Sequence, residues 1–292
     1  MTASHTTVSR SPALVQDAVH NGRTAQSDDM HFIVPPDEQR WDPFLILVDD
    51  WFSDVGFPWH PHRGFQTLTF VLDGRLEHRD NAGGHGVLGA GDAQYMAAGR
   101  YALHSELAHE RRPVHTLQLW LNLPPEKKLV ETSYVDLRRD AAALIAEEGV
   151  EARLHVGRVR EHRGADPETF HVPFSLIEIH LDAGARFVHE VPGRHAAVVH
   201  VVSGDVRLGG DRRPAGDKQM AWFPAGEPGT SEIAIEAETD SHLVVYSAAP
   251  IGAPVVFGGP FVMNTREEVE QAFAEYRAGM FGPIPADEPP GR

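Results

Sequence analysis

The 292-residue chain carries 26 basic against 42 acidic side chains, a formal charge of −16 with histidine neutral. Such a surface repels a phosphate backbone and argues against direct nucleic-acid binding. The absence of cysteine excludes disulfides and thiolate metal sites, so a transition ion would have to sit on carboxylates, water and some of the 18 histidines.

The start of the chain has no uninterrupted apolar stretch suited to a signal peptide, and no later segment could span a bilayer. The sequence therefore predicts a soluble, cytoplasmic protein, with a loose N-terminus of roughly ten residues. "FLILVDDWF" (Phe44 to Phe52) reads as a short buried strand. "FPWHPH" (Phe57 to His62) sets two histidines around a proline, which lacks an amide hydrogen and needs an edge or a bulge. "QTLTFVLDGRLEHRD" (Gln66 to Asp80) alternates and bends at Asp73-Gly74, a hairpin signature. Glycine-punctuated strands follow from Gly86 to Glu106, and "VHTLQLWLNLP" (Val114 to Pro124) is a strand stopped by proline.

"DAAALIAEEG" (Asp140 to Gly149) is expected to be a linker helix ending at a glycine cap. Strands resume at "ARLHVGRV" (Ala152 to Val159) and continue to about Val256. In "NTREEVEQAFAEYRAGMFG", Thr265 and Glu268 predict a capping box, and Val269, Ala272, Phe273 and Tyr276 form an apolar stripe. A Pro-, Asp- and Glu-rich tail after Pro283 predicts disorder.

An internal repeat is visible. "FVLDGRL" (Phe70 to Leu76) resembles "HVVSGDV" (His200 to Val206), and "AGDAQYMAAG" (Ala90 to Gly99) resembles "AGDKQMAWFPAG" (Ala215 to Gly226). Two copies of a small β unit predict an all-β fold of two similar barrels with a short C-terminal helix. The expected division is residues 1–139 for the first barrel, 140–149 for the linker helix, 150–262 for the second barrel and 263–292 for the helix and tail.

In a strand, residues i and i+2 share a face. His60 and His62 therefore project together, as do His104 and Glu106. On facing strands of a small barrel the two pairs would converge, giving three imidazoles and one carboxylate. Such a set leaves one or two positions open on a six-coordinate ion and suits Fe(II), Mn(II), Ni(II) or Cu(II) better than a closed structural zinc. When the repeat is aligned on its glycines, the counterparts in the second barrel are Glu190, Pro192, Ser231 and Ile233, which make no ligand set. His115 is expected to be a satisfied strand histidine. His78 and His85, in a turn region, are expected to be structural.

The stretch from Phe57 to Glu106, with "LQLWLNLP" and "GPFVMNT", resembles the pirin family, a branch of the cupins, over about Asp42 to Gly282. The resemblance implies two cupin-type barrels, a bicupin, with one divalent metal on His60, His62, His104 and Glu106 of the first. Iron is the usual ion by that likeness, with manganese, nickel, copper or zinc as alternatives. It implies cleavage of a flavonol such as quercetin by O2, the small aromatic substrate losing its 3-hydroxyl proton to Glu106 as catalytic base. It also implies an alternative, a metal- or redox-tuned regulatory protein without enzymatic activity, whose partner would be another protein. Gln66 stands where pirins usually carry glutamate near the metal. Tyr101 replaces a common glycine and would narrow the cavity mouth or fill a loop.

Overall fold

The structure, a computed structural model, describes residues 8–35, 37, 40–54, 56–81 and 83–284. Strands dominate, and the chain divides into two compact units. One unit is built mainly from residues 48–136 with the C-terminal segment from Ala253. The other is built mainly from residues 137–252 with the N-terminal segment up to His20 and the segment His31–Leu47.

The first unit contains a four-stranded sheet ordered Phe57–His62, Ala102–Ala108, Arg75–Asp80, His85–Gly89. Its larger sheet includes Ala93–Ala98, Phe65–Asp73, Val114–Asn122 and, from Val48 onward, the strand Phe44–Phe52, in that order. Phe52, Val71, Leu76, Leu88, Ala108 and Val114 come from both sheets and form one apolar cluster. Alternation along each strand then fixes what else faces inward: Thr69 with Val71, Gln118 with Val114, Glu106 with Ala108, His78 with Leu76.

Phe57–His62 lies at the edge of its sheet, which accounts for Pro58 and Pro61: an edge strand has an unpaired side where a missing N–H costs nothing. Asp73-Gly74 is not a hairpin. The strands on either side of it belong to different sheets, so the turn carries the chain from one wall to the other. Gly74 adopts φ +78°, and a Cβ there would lie 2.3 Å from the Pro113 carbonyl oxygen. Gly204 repeats the device in the second unit at φ +90°.

The second unit has a seven-stranded sheet that includes Val150–Val156, Phe174–Leu181, Ser241–Ala248, Ala196–Ser203 and Gln219–Phe223. A smaller sheet is centred on Thr230–Ala237, with Arg186–Pro192 paired to it. Its core is apolar and continuous, from Ile177 and Val199 to Phe187, Ile233 and Val245. The loose N-terminus is contradicted for residues 8–10. Val8–Ser9 pairs in parallel with Thr230–Ala237, and the Arg10 side chain donates to the Pro224 carbonyl. The rest of that segment, residues 1–7, and the tail from 285 lie outside the described residues.

The predicted linker helix over 140–149 is also corrected. A short 3₁₀ turn, Arg139–Ala141, leads into the strand Ala143–Glu147, which forms a hairpin with Val150–Val156 around Gly149. The alanines favour a helix, but Ile145 joins the barrel core and Leu144 faces solvent, the period of a strand.

The terminal helix Arg266–Arg277 carries the predicted capping box between Thr265 and Glu268. Ala272 packs with Phe261 and Phe281, flanked by Phe273, Tyr276 and Tyr101. Glu275 holds the buried Arg63 guanidinium at 2.6 Å. Tyr101 therefore fills the seat of the helix. No helix among the described residues is long and apolar enough to cross a membrane.

Candidate metal centre in the first barrel

His60 and His104 stand directly opposite each other on the antiparallel strands Phe57–His62 and Ala102–Ala108. The register slips by one residue between His104 and Glu106, where Phe57–His62 carries an extra residue, a bulge beside the site. The rings of His60 and His104 are 4.3 Å apart, and those of His62 and His104 are 5.0 Å apart. One ring nitrogen from each of the three histidines lies within 4.8 Å of the others.

The tautomers follow from the partners. His60 Nδ1 is 2.8 Å from the Pro58 carbonyl and His62 Nδ1 is 3.3 Å from the Pro260 carbonyl. A carbonyl oxygen only accepts, so each Nδ1 carries the hydrogen and each Nε2 presents a bare lone pair. These two Nε2 atoms lie 3.1 Å apart. Two lone pairs at that distance repel unless a cation lies between them. A shared proton is disfavoured, because burial lowers the pKa of His60, His62 and His104 alike. Both nitrogens of buried His104 lack any protein partner. The residues thus fit a divalent ion, with the Nδ1–carbonyl bonds fixing ring orientation.

Glu106 is buried and lies outside this three-histidine group. Thr69 Oγ1 donates to Oε1 at 3.2 Å, and Gln118 Nε2 donates to Oε2 at 2.8 Å. Trp120 Nε1 in turn donates to Gln118 Oε1 at 2.9 Å. Burial raises the Glu106 pKa, and these two hydrogen bonds to it pull the other way without cancelling the rise. Trp120 meets the His62 ring edge-on at 5.1 Å and stacks on Phe65 at 4.1 Å, giving the site an aromatic wall.

Several roles could not be assigned from the sequence. Gln118 and Trp120 share a face by spacing, and it is the face of Glu106 and His62. Thr69 has the same orientation, and alternation from Val71 would have found it. His78 was assigned to a turn, but it lies in the strand Arg75–Asp80, buried, 5.4 Å from His104, with neither ring nitrogen partnered. Gln66 points to the opposite face of its strand from Thr69 and accepts from Tyr95, so it is removed from the site. His115 also faces away, 2.6 Å from Asp49 and stacked on Trp51.

The counterparts in the second barrel hold no such centre. Glu190 accepts from the Arg160 amide, Ser231 donates to the Val191 carbonyl, and Ile233 is core. His189 does face the core, on the side of Phe187 and Val191, but no other ligand joins it there among the described residues.

Two cupin-type barrels in one chain, the first with a three-histidine cluster inside, define a bicupin. The sequence matches the pirin family over residues 18–121 and the pirin C-terminal cupin domain over residues 176–282. Human pirin is 34% identical over 246 residues, covering 83% of each chain. A Pseudomonas aeruginosa protein provisionally named a quercetin 2,3-dioxygenase is 34% identical over 257 residues, covering 84% of this chain and 88% of its own. The crystal structure of a quercetin 2,3-dioxygenase from Acinetobacter baumannii superimposes with a TM-score of 0.84 at 28% identity, covering 95% and 99% of the two chains. This chain belongs to the pirin family.

Proposed function

We propose that the protein is a metal-dependent dioxygenase that opens a flavonol such as quercetin with O2, releasing carbon monoxide, at a mononuclear centre on His60, His62, His104 and Glu106. The observation that carries this reading is the pair of bare Nε2 atoms of His60 and His62 at 3.1 Å, with unpartnered His104 beside them. The relatives named for quercetin cleavage support the substrate class. Fe(II) is the proposed ion.

Bound there, a divalent ion supplies the Lewis acidity that lets the flavonol 3-hydroxyl ionise and the electronic route by which O2 meets the ring. The protein does the rest. Burial raises the basicity of Glu106, which accepts the 3-hydroxyl proton. Gln118 and Thr69 hold its two oxygens, so the carboxylate keeps one orientation. Trp120, backed by the buried Phe65 ring stacked on it, offers a flat apolar face for an aromatic substrate and excludes water.

Oxygen consumption and metal content of the parent, Glu106→Gln and His62→Ala test the roles. Glu106→Gln retains metal and loses turnover, because an amide cannot take the proton. His62→Ala loses both. A Glu106→Gln enzyme that turns over at the parent rate removes the base assignment. A metal-loaded parent inert to every flavonol tested moves the reading to the regulatory binding protein.

A further inference from the structure

The second barrel brings metal-ligand chemistry together away from its core. Phe174–Leu181 and Ser241–Ala248 pair antiparallel with His180 directly opposite His242. Ile177, Ile179, Leu181, Leu243 and Val245 occupy the core face, so alternation puts Glu178, His180 and His242 on the other. The two imidazoles stack at 4.0 Å and 18°. Both aim at one carboxylate atom: Glu178 Oε1 is 3.2 Å from His180 Nε2 and 2.9 Å from His242 Nε2. One ligand atom from each residue lies within 4.8 Å of the others.

The surroundings favour a cation here. The Glu178 side chain is 8% exposed, yet no Arg or Lys forms an ion pair with it among the described residues. Arg153, opposite Glu178 on the neighbouring strand, pairs with Glu151 at 3.0 Å instead. The His180 side chain is 49% exposed and edges a concavity shared with Glu147, Glu151 and Asp182, so an ion can enter from solvent. Arg160 and Arg153 pair with Glu147 and Glu151 there, while Asp182 adds a further negative group.

We propose that Glu178, His180 and His242 form a second divalent metal site, of two imidazole nitrogens and one carboxylate oxygen, completed by water on its open side. That donor set selects Zn2+, Cu2+ or Ni2+ over Mg2+ or Ca2+. The ion would replace two N–H···O contacts by three coordinate bonds and clip two neighbouring strands of the larger sheet together. The site is independent of the first-barrel centre and of any activity there.

The test is equilibrium dialysis of chelator-treated protein against Zn2+, with thermal melting as the check on folding. The parent takes up one more ion per chain than His242→Ala, and its melting temperature rises on addition of Zn2+ after the first centre is filled. His180→Ala, at a half-exposed position that folding tolerates, weakens the same uptake by more than the roughly 10- to 100-fold that loss of a supporting partner alone costs. His162→Ala, a partly exposed histidine outside the cluster, changes nothing. Cu2+ bound to His62→Ala protein shows electron-paramagnetic-resonance splittings from two imidazole nitrogens, which His180→Ala in the same background removes. Equal Zn2+ uptake and affinity in the parent, His242→Ala and His180→Ala would overturn the proposal.

Discussion

Gln118 donates its amide to Glu106 at 2.8 Å while its own carbonyl oxygen accepts from Trp120 at 2.9 Å. The amide therefore cannot flip without losing both bonds. This locked residue ties the aromatic wall to the carboxylate that the proposed reaction needs. Gln118→Leu frees one oxygen of Glu106 and leaves the three histidines untouched. Turnover is expected to fall by roughly tenfold or more with metal content unchanged, and the acid limb of the pH–rate profile is expected to move upward, since a bond that favours the charged carboxylate is gone. An unmoved pH profile removes the positioning role.

Arg63 is buried, and its guanidinium meets Glu275 of the terminal helix at 2.6 Å and lies 5.1 Å from the Tyr101 ring. Glu275→Ala leaves that charge uncompensated in the seat of the helix. The expected cost is about 3 kcal/mol, read as a fall of several degrees in Tm. An unchanged melting curve would mean that the helix contributes nothing to the first unit.

His189 is 1% exposed, faces the second core, and has no partner for either nitrogen. Burial lowers its pKa to about 4. The unfolded chain binds a proton near pH 6.5 that the folded protein refuses, so this stability is complete above 6.5 and is lost as pH falls towards 4. His189→Met is expected to be neutral at pH 7.5 and to recover part of the loss at pH 4.5, on the order of 3 kcal/mol at most. Equal acid sensitivity of parent and variant in urea titrations contradicts the buried, neutral imidazole.

Asp50 behaves in the opposite sense. Its carboxyl is buried without a hydrogen-bond partner, and burial, with Asp49 and Glu106 adding repulsion, raises its pKa to about 8. The folded protein holds a proton that the unfolded chain releases near pH 4, so stability is present below that pH and declines as pH rises through 8. In metal-stripped protein, Asp50→Asn is expected to raise Tm at pH 8.5 and to leave it nearly unchanged at pH 4. A lower Tm at pH 8.5 would show that the charge is compensated.

The meeting of His60, His62 and His104 was legible in the sequence because strand geometry makes i, i+2 spacing a statement about one face, whereas Glu106 lies outside that group, and the repeat announced two barrels because glycine-dependent turns such as Gly74 and Gly204 leave a fixed mark. The linker was misread because the helix propensity of alanine is a weak term beside the burial of Ile145. Asp73-Gly74 was misread because a positive-φ turn is needed equally by a hairpin and by a passage between sheets. His78 and Asp50 carry no local pattern at all. Their burial depends on sheet order, which only the folded chain specifies. The same holds for Glu178, His180 and His242, whose meeting depends on the register of strands some sixty residues apart.

The central claim is tested most directly by oxygen consumption with quercetin, comparing metal-stripped protein with the same protein reloaded with Fe(II). The account predicts no uptake by the stripped protein, restored uptake with carbon monoxide release after reloading, and no restoration in His62→Ala. Equal oxygen consumption by stripped and reloaded protein, or full restoration in His62→Ala, would contradict it.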